Sequence, residues 1–217
     1  MTDIQQKIFS IRSDYAGKPL DEGEVDRDPM KQFECWMKEA VDSNLQDPNA
    51  MVLSTATPGG KPSARVVLLR GFSEKGFAFY TNYNSRKGME LLENPHACLS
   101  FFWPEIARQV KIEGLVTKLA SEESEAYFRS RPKDHQLGAW ASMQSKVIGG
   151  RDEIERQMSE LEIKYKDQEV PRPHYWGGFS LLPELFEFWQ GRMSRLHDRI
   201  QYSGYKNGEW LIERLSP

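Results

Sequence analysis

Between Arg65 and Lys87 the chain carries five basic side chains, Arg65, Arg70, Lys75, Arg86 and Lys87, against one acid, Glu74, a local net of +4. Arg65 and Arg70 bracket the apolar stretch Val66-Val67-Leu68-Leu69 and are expected at the two ends of a buried strand core. Arg86 and Lys87 follow Asn84-Ser85, which can cap a helix ending near Asn94-Pro95. Cations are unfavourable in a first helical turn, because the helix N-terminus is itself positive. An anion bound there removes the conflict, held by free backbone N–H groups, the dipole and two cations together. Phosphate suits such a site; two solvated surface charges are the alternative.

A second cluster joins Tyr127, Arg131, Lys133 and His135. Tyr127 and Arg131 are four apart and share a helix face, and Pro132 then ends the helix. This is either another anion pocket or a salt-bridged helix end. A third cluster lies in Trp189-Gln190-Gly191-Arg192-Met193-Ser194-Arg195-Leu196-His197-Asp198-Arg199. In a strand, Arg195, His197 and Arg199 point the same way. With Trp189 beside them they favour a planar, anionic ligand over a bare edge strand. Two anion sites with aromatic residues suit phosphorylated, ring-bearing small molecules.

Other chemistries lack their residues. There is no Gly-rich phosphate loop, no His-Glu-x-x-His and no nucleophile elbow. The four histidines, His96, His135, His174 and His197, do not have metal-ligand spacing. Cys35 and Cys98 lie far apart with apolar neighbours and are expected as reduced, core-packed thiols. The 217 residues carry 29 basic and 32 acidic side chains, a net charge of -3. That balance argues against a general nucleic-acid binder. No apolar stretch resembles a signal peptide or reaches the roughly 20 residues of a membrane span, so a cytoplasmic protein is expected.

The elements that must position these residues follow from periodicity. Asp28-Pro29 starts a helix whose Phe33, Trp36, Met37, Ala40 and Val41 share one face. Strands are expected over 50–57, 63–72, 77–81, 97–103 and 107–119, and helices over 121–130 and 151–166. From Leu185 to Arg214 short strands are expected, joined by turns at Ser203-Gly204 and Asn207-Gly208. The acidic stretch Asp21 to Asp28 is a solvated connection. Hairpin succession with helices inserted predicts a mainly β protein, an antiparallel barrel with α decorations.

Ordered along the chain, Arg65-Val-Val-Leu-Leu-Arg70, Tyr80-Thr-Asn-Tyr-Asn-Ser-Arg-Lys87, Phe128-Arg-Ser-Arg-Pro132, Gln136-Leu-Gly-Ala-Trp140, Trp176-Gly-Gly-Phe179, Glu187-Phe-Trp-Gln-Gly191 and Arg195-Leu-His-Asp-Arg199 resemble the pyridoxamine/pyridoxine 5'-phosphate oxidase family. The resemblance runs from Ile11 to Pro217. It implies an FMN-binding split β-barrel, a mobile segment over residues 1–28, and one domain over 29–217 that includes a C-terminal dimerisation region. It implies a homodimer with FMN between subunits. The implied reaction oxidises pyridoxamine or pyridoxine 5'-phosphate with dioxygen to pyridoxal 5'-phosphate and hydrogen peroxide, with ammonia from the amine.

By position, the resemblance assigns FMN to Arg65, Val66, Leu68, Arg70, Tyr80, Thr81, Arg86, Lys87, Gln109, Gln144, Ser145, Trp189 and Arg199. It assigns the substrate phosphate to Arg70, Tyr127, Arg131 and His135, and the pyridine ring to Arg195 and His197, the catalytic pair. Arg12 and Tyr15 would close over the substrate. No metal is implied. The family usually has Lys at position 70 and Ser at position 135, so both departures fall in the substrate-phosphate set. Competing readings are another flavin or deazaflavin reductase, which would not need Arg195-Leu-His-Asp-Arg199, and a non-catalytic carrier or sensor of FMN or pyridoxal phosphate.

Overall fold

The protein is described here by a computed structural model that covers residues 2–11, 14–15 and 17–217. In chain order the elements are α1 (Asp3–Ser10), α2 (Pro29–Asp42), β1 (Ala50–Ala56), β2 (Pro62–Leu68), β3 (Gly71–Ser73), β4 (Gly76–Asn82), α3 (Arg86–Glu93), β5 (His96–Trp103), β6 (Arg108–Lys118), α4 (Ser121–Ser130), α5 (Lys133–Ala141), α6 (Arg151–Lys164), β7 (Trp176–Gln190), β8 (Asp198–Lys206) and β9 (Glu209–Arg214). Strands neighbour one another in the order β2-β1-β5-β6-β7-β4-β3, with β8 beside β7 and β9 beside β8. The pairs β1–β2, β1–β5, β3–β4, β4–β7, β7–β8 and β8–β9 are antiparallel. The architecture is therefore mainly β with helices inserted, as expected. Contacts group the chain into two compact units: Met1–Pro48 with Phe101–Lys111 and Leu185–Pro217, and Asn49–Ser100 with Ile112–Glu184.

In the first unit, Asp28 caps α2 by accepting from the Met30 N–H at 2.9 Å, and Pro29 occupies the first turn. Phe33, Trp36, Met37 and Ala40 are buried. Phe33 packs on Phe101 and Trp36 on Phe188, each at 5.2 Å between ring centroids. Val41 is exposed instead; it lies in the last helical turn, beyond the packed stripe. Cys35 projects from the opposite face and is exposed, and Cys98, in the second unit, is half-buried, so neither is the core-packed thiol expected. The acidic stretch is more than a solvated connection, because Glu22 pairs with Arg214 at 2.6 Å and Val25 is buried.

The C-terminal hairpin differs from expectation in two places. Asn207-Gly208 is the turn between β8 and β9, but Ser203-Gly204 is a bulge inside β8, where the register shifts and Gly204 takes φ +59°. The residues before β8 are not strand. Met193–Arg195 is a 3₁₀ turn, with Ser194 and Arg195 at φ 55° and 60°. Alternation therefore does not put Arg195, His197 and Arg199 on one face. Two successive non-Gly residues in that region cost about 1–3 kcal/mol each, so surrounding contacts must hold the loop.

In the second unit, Leu53, Leu99, Phe77, Phe79, Phe179 and Leu181 form the buried layer. The expected strand over 63–72 breaks after Leu68. There the Leu69 N–H turns to Asn49 O at 2.9 Å and the Arg70 N–H to Ala78 O at 2.8 Å. β2 pairs with β1 at one end of the strand order, and Val66 is 67% exposed. The apolar stretch is thus an open edge and not a buried strand core. Helix α5 was not expected. Pro132, expected only as a stop, is its N-terminal flanking residue at φ -51°, and Leu137 of α5 packs in a cluster with Phe128, Tyr165, Val170 and Trp176.

Candidate functional site

A cavity of about 780 Å³ opens in the second unit. β2 supplies Arg65, Val66, Val67 and Leu68, and Arg70 follows it. β4 supplies Tyr80 and Thr81, α3 supplies Lys87, the end of α4 supplies Tyr127 and Arg131, α5 supplies His135, and Gln144 and Trp176 complete the wall. Four cations face this space and, among the described residues, no carboxylate lines it. A cationic wall on which no carboxylate is presented attracts an anion.

Each cation is placed by a local device. Ser85 caps α3, its Oγ accepting from the Gly88 N–H at 3.3 Å. A side chain at Gly88 is excluded, because a Cβ would lie 2.3 Å from Tyr83 O. This close packing fixes the first turn and so Lys87. Its Nζ reaches Gln144 Oε1 at 2.8 Å and Thr81 Oγ1 at 3.2 Å. Burial, aided by the nearby Arg65 charge, lowers the Lys87 pKa to about 8. Arg131 sits just past α4 in extended backbone, not on the helix face shared with Tyr127. Its guanidinium lies 4.7 Å from the Trp176 ring centroid, burial and then Arg70 hold its pKa below the usual value despite the Tyr127 hydroxyl and Asp134, and its Nη1 is buried with no hydrogen-bond partner among the described residues. Tyr80, Tyr127 and Trp176 stack in near-parallel planes, with 3.8 Å between the Tyr80 and Tyr127 centroids.

Arg65 is held differently. Its Nη1 donates to Thr55 Oγ1 at 2.6 Å and Leu53 O at 3.2 Å, and its Nη2 to Ser63 Oγ and Glu90. Glu90 was missed at the level of sequence, where it is one acid in an amphipathic helix. It is buried. Burial raises its pKa, but hydrogen bonds from Ser63, Thr55 and Arg86 outweigh that and hold it at about 2. The available signal was Arg86 and Glu90 at i, i+4. Arg86 Nε donates to Glu90 Oε1 at 2.8 Å, and Arg86 does not line the cavity.

The structure thus brings Arg65, Val66, Leu68, Arg70, Tyr80, Thr81, Lys87, Tyr127, Arg131, His135 and Gln144 around one space. Ser145 does not line it and takes φ 70°. Gln109, Trp189, Arg195, His197, Arg199 and Tyr15 belong to the first unit. There Trp189 and His197 have ring centroids 4.7 Å apart, and the Tyr15 ring stands edge-on to both, at 5.5 and 5.9 Å. Arg195 is exposed. Arg199 Nε donates to Glu187 Oε1 at 2.8 Å. Arg12 lies outside the described residues. Among the described residues no His, Cys, Asp and Glu group could hold a metal ion, and no helix is long and apolar enough to cross a membrane.

Comparison with known proteins supplies a frame for this geometry. Residues 37–165 match the family model described as pyridoxamine 5'-phosphate oxidase, and residues 176–217 match the pyridoxine 5'-phosphate oxidase C-terminal dimerisation region. A pyridoxine/pyridoxamine 5'-phosphate oxidase of Nostoc punctiforme is 54% identical over 99% of this chain and 100% of its own length. One of Paraburkholderia xenovorans is 52% identical over 97% of this chain and 99% of its own. Among solved structures, PhzG from Burkholderia lata, in complex with tetrahydrophenazine-1-carboxylic acid, superposes with a TM-score of 0.87 at 28% identity, over 93% of this chain and all of that one. A pyridoxamine 5'-phosphate oxidase-related, FMN-binding protein of Nostoc punctiforme shares the fold with a TM-score of 0.69 at 18% identity, over 89% of this chain and all of that one.

Proposed function

This chain belongs to the pyridoxamine 5'-phosphate oxidase family, and from that premise we propose that it oxidises pyridoxamine or pyridoxine 5'-phosphate to pyridoxal 5'-phosphate, as a cytoplasmic homodimer that uses FMN. Dioxygen takes the two electrons and two protons as hydrogen peroxide; the amine also consumes water and releases ammonia. The observation that carries the reading is the buried Arg131 Nη1, which among the described residues has no partner, in a cavity lined by four cations and no acid. A buried guanidinium donor without an acceptor is costly unless a ligand completes it.

The residues present fit a flavin mononucleotide. Arg65, Lys87, Thr81 and Gln144 offer donors and charge for its phosphate, and Val66, Leu68 and Tyr80 offer a surface for its ring. The resemblance extends this set to Arg86, Gln109, Ser145, Trp189 and Arg199. Bound flavin would supply the two-electron redox chemistry; the protein supplies binding, orientation and electrostatics. Arg131, with Arg70, Tyr127 and His135, grips the substrate phosphate by charge-assisted hydrogen bonds. Arg195 and His197 orient the pyridine ring, and Tyr15 covers it. Binding energy from the phosphate, remote from the reacting carbon, holds the ring in place.

The test is direct. The purified protein should show a flavin spectrum. With pyridoxamine 5'-phosphate in air it should form pyridoxal 5'-phosphate and peroxide in equal amounts. Flavin without turnover would reassign the protein as a carrier. Turnover of a reduced phenazine carboxylate in place of the phosphorylated pyridine would move it toward the PhzG relative.

A further inference from the structure

The imidazole of His197 is clamped at one nitrogen. Its Nδ1 lies 3.0 Å from the main-chain N of Arg192. An amide N–H can only donate, so Nδ1 must offer its lone pair and the neutral ring carries its proton on Nε2. The ring is also fixed in plane by Trp189 and Tyr15. Among the described residues Nε2 has no protein partner.

The acid next in sequence does not change this assignment. Asp198 Oδ1 accepts from Arg214 Nη1 at 2.8 Å, and its Oδ2 accepts from the Leu20 N–H at 3.1 Å and lies 3.6 Å from Arg192 Nε. Arg192 is tied further, since its Nη1 donates to Gly17 O at 3.1 Å. A histidine built as a proton acceptor normally donates from its far nitrogen to a carboxylate or carbonyl, which stabilises the imidazolium. Here the far nitrogen meets a donor, and the carboxylate next in sequence, Asp198, is spent on holding Arg192, Leu20 and Arg214.

We infer that His197 meets the substrate as a fixed hydrogen-bond donor through Nε2 and does not take up the substrate proton. That proton, from the alcohol or the amine, goes to water. Arg192, Asp198 and Arg214 are positioning residues for this donor. The substrate's identity rests on the oxidase reading above; the tautomer does not.

Two measurements decide it. The first is nitrogen NMR of the full-length protein, histidine-labelled and without substrate, at about pH 8.5, well above the ordinary imidazole range near 6.5. His197→Gln assigns the signal. Expected is a bare Nδ1 and a protonated Nε2; a protonated Nδ1 overturns the inference. The second is kinetics of His197→Gln and His197→Leu. A glutamine side-chain N–H can replace the Nε2 donor, so its kcat should stay within about threefold, while leucine, losing one neutral hydrogen bond, should lose about tenfold in kcat/KM. Loss of a general base would instead cost about 10²–10⁴ in both variants alike, and that result overturns the donor role. A wild-type protein that binds flavin but does not turn over sinks the oxidase reading, while the NMR result still decides the tautomer.

Discussion

Several cations of the first unit are matched to acids, whereas no acid lines the cavity of the second among the described residues. Around Glu187, Arg199 and Lys111 bind the two carboxylate oxygens at 2.8 and 2.6 Å. Arg108 pairs with Glu39 at 2.8 Å and lies over Trp36. Arg214 bridges Glu22 and Asp198. In the cavity, Lys87 meets only neutral oxygens of Gln144, Thr81 and Ser85. Among the described residues Arg70 has no acid partner and Arg131 Nη1 has no hydrogen-bond partner. Arg65 stands between the two patterns, lining the cavity but anchored to Glu90. The difference separates cations paired with acids of the same chain from cations that, among the described residues, have no acid partner. Removing an acid from the first group should cost stability; removing a cation from the second should cost affinity.

The largest effect is expected at Glu187. Glu187→Ala leaves Lys111 and Arg199 partly buried and unpaired. We expect about 3 kcal/mol of lost stability, at the low end for a broken buried ion pair because both cations keep part of their surface in water. Urea unfolding measures it. Burial raises the Glu187 pKa, but Arg199 and Lys111 outweigh it and hold it below the usual carboxylate value. Its contribution is therefore present above the ordinary carboxylate range and lost as pH falls below it. Glu187→Gln should flatten that part of the stability profile, and an unchanged profile would break the assignment.

Arg131→Ala tests the other half of the contrast. It removes a half-buried guanidinium whose Nη1 has no hydrogen-bond partner among the described residues, so the protein should be as stable as before or more so. KM for the phosphorylated substrate should rise about 10–100-fold, the worth of hydrogen bonds to a charged group, with FMN affinity changed less than about threefold. Equal losses of substrate and flavin affinity would abolish the division of the cavity into two phosphate sites.

Lys87 gives a smaller effect with a diagnostic sign. Its pKa near 8 lies below the ordinary lysine value of 10.5. The lysine therefore weakens the empty protein at neutral pH, and stability should recover as pH rises through 8 toward 10.5. Affinity for FMN should move the other way, falling about tenfold as the cation is lost. Parallel trends in unfolding and flavin titration would contradict the placement of Lys87 against an anion. Lys87→Met should flatten both.

The same contrast explains what was legible in the sequence. Local signals survived folding: the Asp28-Pro29 cap, the Ser85 cap with Lys87 behind it, the Asn207-Gly208 turn and most strand spans depend on neighbours in sequence. The loss of local net charge balance between Arg65 and Lys87 also survived as a cavity with no acid. Tertiary pairing was not legible. Spacing pairs Arg86 with Glu90 at i, i+4, but nothing in it shows that Arg65 shares that buried acid, or that Arg199 is taken by Glu187. Alternation failed where the backbone left the strand, at Leu69-Arg70 and at Ser194-Arg195, because hydrogen bonds and contacts from distant residues set those conformations. Val66 misled for a related reason. An apolar edge beside a cavity reads in sequence like an apolar strand in a core.

Arg70 offers the finest test of the contrast, since it changes shape while keeping charge. Its guanidinium lies 6.0 Å from the Tyr127 ring centroid, at the rim of the same cationic space. A guanidinium fork can bind two phosphate oxygens at once and interact with an aromatic face, whereas an ammonium acts as a point charge. If the cavity works mainly through unpaired charge, Arg70→Lys should raise KM only about threefold, and Arg70→Met about tenfold, the scale of one charge-assisted hydrogen bond. Steady-state kinetics on the phosphorylated substrate separates the cases. A lysine variant as poor as the methionine one would mean that fork geometry, and not the absence of acids, makes this wall an anion site.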